Sequence, residues 1–176
     1  MILRYAIQLK NKKRAVGKIL DVYAPSEPGE EYARLDIKDA YNLRPIMTGL
    51  ELSFGNLKVS FCKMKHPVKS YAMLFDNGSK RFVYSGDTSW NQDIIAFANS
   101  ADLLMLDAGL MSKDKTDENV AHLTARECGI VARESGAKKL ILTHFWPDYD
   151  VNLLLGEAKE NFENADVSRL LETYEV

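Results

Sequence analysis

Cysteine is scarce in this sequence, and charge of neither sign prevails. Only Cys62 and Cys128 occur in 176 residues, too few and too far apart for a disulfide-built scaffold. Both lie in apolar segments, so two reduced thiols in a cytoplasmic protein is the favoured reading, with one disulfide left open. Twenty-three basic side chains oppose 25 acidic ones, giving a net charge of −2. That balance argues against tight binding of a polyanion, and no nucleic-acid partner is expected. No apolar run approaches the ~18 residues of a membrane span, so no membrane partner is expected either. The opening stretch MILRYAIQLKNKK is apolar before it is basic and lacks a small-residue cleavage site, unlike a signal peptide. What is present is 46% apolar and 27% charged residues, enough for one globular domain with a sizeable core.

Local patterning predicts a single domain over 1–176, of the α/β class, with a mixed sheet and flanking helices. Residues 2–13 place Ile2, Leu3, Tyr5, Ala6 and Leu9 on one helical stripe. KILDVYAP (18–25) reads as a strand, and EEYARLDIKDAY (30–41) as a helix that stops before Pro45. Two hairpins follow, over 50–66 around Gly55-Asn56 and over 71–87 around Asp76-Asn77-Gly78. Beyond Asp87, helices near 91–100, at 124–135 and from about 151 alternate with strands over 102–108 and 138–144. A meander followed by strand–helix alternation is the pattern of a mixed sheet.

In FVYSGDTSW (82–90) a strand-like run stops at Ser85-Gly86 and leaves Asp87 at its end. Open α/β sheets bind ligands at such places, although an Asp there can also cap the next turn. The three histidines fall in similar positions. His66 closes the strand VSFCKMKH, His144 closes LILTH, and His122 ends a polar loop just before the helix at 124–135. Asp107 closes a further strand. Singly, each has a plain reading: His66 as a partly exposed strand residue, His122 as a neighbour of a Thr124 cap, Asp107 as partner of a loop lysine. Together they suit a zinc or manganese site, whose nitrogen and oxygen ligands converge from separate strands onto one ion.

The stretches VYSGDTSW, ADLLMLDA and HLTARECGIVARESGAKKLILTHF resemble the second half of the metallo-β-lactamase superfamily, in the branch of Z-type ribonucleases and small phosphodiesterases. The resemblance runs from about His66 to Phe145 and extends more weakly over the chain. It implies an αβ/βα sandwich with a dinuclear metal site between the sheets. By resemblance, His66 binds the first metal, Asp87 bridges both ions, and His144 binds the second. His122 acts as proton donor near the leaving group, oriented by Asp107, where the family more usually has Glu.

Two departures qualify this expectation. The family's His-x-His-x-Asp-His motif is absent, so the chain reads as the C-terminal portion of the fold, beginning after the main metal-binding loop. With two ligands left for each ion, Zn2+ or Mn2+ is expected to be held weakly, and activity of this chain is expected to be impaired. Only 20 residues separate His66 from Asp87, too few for the RNA-gripping arm of Z-type ribonucleases, and FWPDYD follows the last histidine where those enzymes carry Ser-x-Arg-Tyr. The expected substrate is therefore a small phosphodiester or ester, attacked through a metal-bound hydroxide. The alternative is a non-catalytic α/β module. The chain is expected to self-associate into a homo-oligomer or to pair with a complementing N-terminal segment.

Overall fold

The computed structural model describes residues 19–37, 40–117 and 120–176; the helix expected over 2–13 lies outside them. The described residues gather into two compact units that divide between Met47 and Thr48.

In the first unit, strand β1 (Leu20–Ala24) pairs in parallel with β2 (Tyr41–Pro45), with the short helix α1 (Gly29–Arg34) between them in sequence. The helix expected over 30–41 is thus corrected: it stops at Arg34, and Tyr41 opens a strand. No residue of α1 is buried, so no packing extends a helix this short. The backbone N–H groups of Ala40 and Tyr41 close a turn on the Ile37 carbonyl. Tyr41–Pro45 then supply the ladder partners that β1 needs, Val22 against Leu43 at the centre.

The second unit is built on a seven-stranded sheet in the order β3-β4-β5-β6-β7-β8-β9. Strands β3 (Glu51–Phe54), β4 (Leu57–Lys63), β5 (Tyr71–Asp76) and β6 (Arg81–Tyr84) form an antiparallel meander. Its two hairpin turns sit where Gly55-Asn56 and Asp76-Asn77-Gly78 predict them. Gly78 adopts φ 86°, and the Asp76 carboxylate accepts its N–H at 2.7 Å. Strands β7 (Leu103–Asp107), β8 (Leu140–Thr143) and β9 (Ala165–Val167) then pair in parallel. The near-continuous apolar runs LLMLD and LILT are what a parallel sheet buried on both faces requires.

Helices α2 (Asp93–Phe97), α3 (Ala125–Glu134) and α4 (Val151–Lys159) contribute Ile94, Cys128, Val131, Leu154 and Ala158 to one core with Val83, Leu104, Leu106, Leu140 and Leu142. Thr124 starts α3 with a reciprocal cap: its side chain accepts the Glu127 N–H, and Glu127 accepts the Thr124 N–H. Against α4 the fit is tight, since a Cβ on Gly129 would stand 2.3 Å from the Ala158 carbonyl oxygen. Among the described residues no helix is long and apolar enough to cross a membrane.

The order of pairing fixes where the site falls. Two antiparallel steps restore direction, so β4 and β6 run the same way as β7 and β8. Their carboxyl ends share one edge of the sheet, where Asp107 ends β7 and His66, Asp87 and His144 follow β4, β6 and β8.

Candidate metal centre

Asp107 is the last residue of β7 and is 1% exposed. A bare buried carboxylate is costly, and this one is surrounded by donors. Its Oδ2 accepts the Thr88 N–H at 3.0 Å and faces His122 Nδ1 at 2.8 Å; its Oδ1 accepts the Gly109 N–H at 3.0 Å and faces His144 Nδ1 at 3.3 Å. Its own N–H donates to Ser85 Oγ at 2.9 Å, and Ser85 in turn donates to the Gly86 carbonyl. The stretch Ser85-Gly86-Asp87-Thr88 therefore frames Asp107 as well as presenting Asp87. The lysine of the following loop, Lys115, pairs instead with Glu127.

Gly86 can make that turn because it sits at φ 61°, and a Cβ there would stand 2.9 Å from the Tyr71 carbonyl oxygen. Gly109 has a second steric role. A Cβ on it would stand 2.8 Å from His122 Cβ, so only glycine lets the imidazole settle against Asp107.

Each histidine is held differently. His122 has Nδ1 committed to Asp107, which leaves Nε2 for chemistry. His144 follows β8 at once and takes φ 58°; its Nδ1 lies between Asp107 and Asp87, whose Oδ1 is 3.6 Å away. His66 stands three residues beyond the end of β4, with Nδ1 tied to the backbone of Val68 at 3.0 Å. That contact turns Nε2 into its available nitrogen, a common arrangement behind metal-binding imidazoles. The His66 and His122 rings lie 5.7 Å apart, and those of His122 and His144 5.1 Å apart.

All five residues singled out from the sequence meet here. His66, Asp87, His122 and His144 border one cavity of about 430 Å³, and Asp107 lies beneath it. Ligand atoms of Asp107, His122 and His144 come within 4.8 Å of one another. Each oxygen of Asp107 accepts one backbone N–H and stands beside one imidazole. Asp87, half-exposed, is the carboxylate open to an ion. Burial, and then the Asp87 and Asp107 carboxylates, push the Tyr84 phenol above its ordinary range. Imidazole nitrogens and an accessible carboxylate fit a divalent metal ion.

The same cavity has a wall that sequence reasoning missed. Phe145, Trp146 and Pro147 line it together with the polar groups, and Trp146 is 59% exposed. Their signal in the sequence is only adjacency to His144. Ser85, Thr88 and Gly109 are missed too, because what they do depends on Asp107 in another strand.

Comparison with known proteins places this geometry. The protein named "Probable metallo-hydrolase YhfI" from Bacillus subtilis (strain 168) is 30% identical over 149 residues, 85% of this chain and 60% of that protein. The crystal structure of the metallo-β-lactamase fold protein YhfI from Bacillus subtilis superposes with a TM-score of 0.85 at 27% identity, covering 94% of this chain and 68% of that one. Ribonuclease Z of Methanothermobacter thermautotrophicus is 43% identical over 98 residues, 53% of this chain and 31% of that protein. The chain thus spans less than two thirds of the length of these curated relatives. The model of the β-lactamase superfamily domain matches residues 4–145. With the fold, the strand-end histidines and these matches in agreement, the chain belongs to the metallo-β-lactamase superfamily.

Proposed function

We propose that this chain is a metal-dependent hydrolase acting on a small phosphodiester or ester. The observation that carries the reading is the meeting of His122, His144 and Asp107 beside His66 and Asp87 in one cavity. Under it, His66, Asp87 and His144 would hold zinc or manganese. When bound, the ion supplies Lewis acidity, polarising the scissile bond and acidifying water near neutral pH. His122 carries the proton that the leaving oxygen needs, because Asp107 occupies Nδ1 and leaves Nε2 to donate. Asp107 positions that ring and, through Oδ1, the ring of His144.

Ribonuclease Z among the relatives raises RNA as a substrate. A net charge of −2 and a cavity with no lysine or arginine among its described lining residues favour a small ligand. The two free thiols accord with a cytoplasmic location.

Two candidate ligands per ion predict weak retention of metal by this chain. Calorimetric titration with zinc and with manganese, followed by assay on bis(p-nitrophenyl) phosphate, tests the proposal. Weak binding and slow hydrolysis, both lost in Asp87→Ala, are expected, whereas His122→Ala should keep the metal and lose turnover. Metal affinity unchanged in Asp87→Ala would sink the ligand assignment. Tight binding of two ions with rapid turnover would overturn the weak-site part alone.

A further inference from the structure

We infer that the turn Phe145-Trp146-Pro147 is a recognition wall for a planar aromatic ring on the substrate, and that Trp146 is its specificity-determining residue. The inference rests on the hydrolase reading of the neighbouring polar groups and names the class of ester they would act on.

The cavity's lining is of two chemical kinds: the imidazoles with Asp87, and the turn Phe145-Trp146-Pro147. An ester with its reacting bond near His122 has that turn in the same cavity as a wall for its remaining group. That wall is apolar and offers no cation among its described residues. Asp148, exposed on the same turn, adds negative charge. A second anionic group is therefore disfavoured there, and a neutral planar ring is favoured.

Trp146 is suited to that contact because it is presented and not packed away. It is 59% exposed, while its neighbour Phe145 packs against the core and anchors the turn. The turn is also pinned. The Tyr149 N–H donates to the Trp146 carbonyl at 3.1 Å, and the Tyr149 hydroxyl donates to Asp114 Oδ2 at 2.8 Å. Asp150 then caps α4 by accepting the Asn152 N–H at 2.9 Å. An exposed indole on a fixed turn loses little conformational freedom when a ring stacks on it.

The test uses the full chain with zinc present and two monoanionic diesters, diphenyl phosphate and dimethyl phosphate. Their affinities are read by calorimetry, and emission of Trp146 is read in a Trp90→Phe background. Diphenyl phosphate should bind about tenfold more tightly than dimethyl phosphate and change the Trp146 emission. Trp146→Ala should erase the preference without changing dimethyl phosphate affinity, and Trp146→Phe should retain most of it. Equal affinities, or a preference that survives Trp146→Ala, would overturn this inference while leaving the hydrolase reading standing. Binding of neither diester would overturn both.

Discussion

The two halves of the seven-stranded sheet supply the site in different ways. In the antiparallel half, β4 and β6 stop early, and His66 and Asp87 stand three residues beyond them. His66 is held by its own loop through Val68, and Asp87 is half-exposed. In the parallel half, Asp107 is the terminal residue of β7 and His144 follows β8 directly. These strands are buried along most of their length, and Asp107 gathers donors from Thr88, Gly109, His122 and His144. One half places accessible side chains just beyond its strand ends, and the other buries the carboxylate beside which two imidazoles stand.

The comparison breaks most readily in the core. Leu106→Ala in β7, fully buried, should cost about 2–5 kcal/mol in urea unfolding. Leu52→Ala in the edge strand β3, only half-buried, should cost about 1 kcal/mol or less. Similar losses at the two positions would remove the contrast between the halves.

Next comes the frame itself. Asp107→Asn replaces one acceptor oxygen by an N–H that must oppose the Thr88 or the Gly109 N–H, so the frame beside the imidazoles has to shift. Zinc affinity should fall about 10–100-fold by calorimetry. An unchanged affinity would mean that Asp107 organises nothing the ion uses.

A pair of glycines sharpens the picture of the helices that back the parallel half. Gly129→Ala in α3 meets the Ala158 carbonyl and should cost about 1–3 kcal/mol. Gly156→Ala in α4 meets nothing within 4 Å and should stabilise by up to about 1 kcal/mol through helix propensity. Thermal melts with the opposite order would show that the two helices are less closely packed than they stand here.

The smallest effect lies at the opposite end of the sheet. Asp102 accepts from Lys138 at 2.8 Å and from the Arg81 N–H at 2.9 Å. Chiefly the Lys138 contact, then the Arg81 N–H, lowers its carboxyl to about 2. A carboxyl depressed in the folded state stabilises above the ordinary Asp range, and that contribution is lost as pH falls from about 4 toward 2. Asp102→Asn should flatten stability over that window and leave it unaffected as a function of pH near neutrality. A pH profile with the same acid limb in the variant would refute this.

Much of this architecture is legible in the sequence where the signal is local. Gly55-Asn56 and Asp76-Asn77-Gly78 mark their turns because each turn is made by its own residues. LLMLD and LILT declare buried strands by composition alone, and Thr124 with Glu127 declares a helix start. The convergence of the histidines is legible because all of them border strand ends or helix starts. Tyr41 misleads because it also fits the tail of the helical stripe over 30–41; only the pairing of Tyr41–Pro45 with β1, 21 positions away in register, decides for strand. β9 is three residues long, too short for a period to register. Ser85, Thr88 and Gly109 carry no local sign of their task, since each acts on a carboxylate or ring brought in from elsewhere in the chain.

His144 gives the site a further property. Its left-handed backbone, φ 58°, is disfavoured for any residue with a Cβ, by roughly 1–2 kcal/mol. Glycine would occupy the same turn without that burden. Residue 144 therefore answers two opposed demands: glycine would relieve the backbone, yet it would also remove the imidazole that faces the buried Asp107 carboxylate at 3.3 Å.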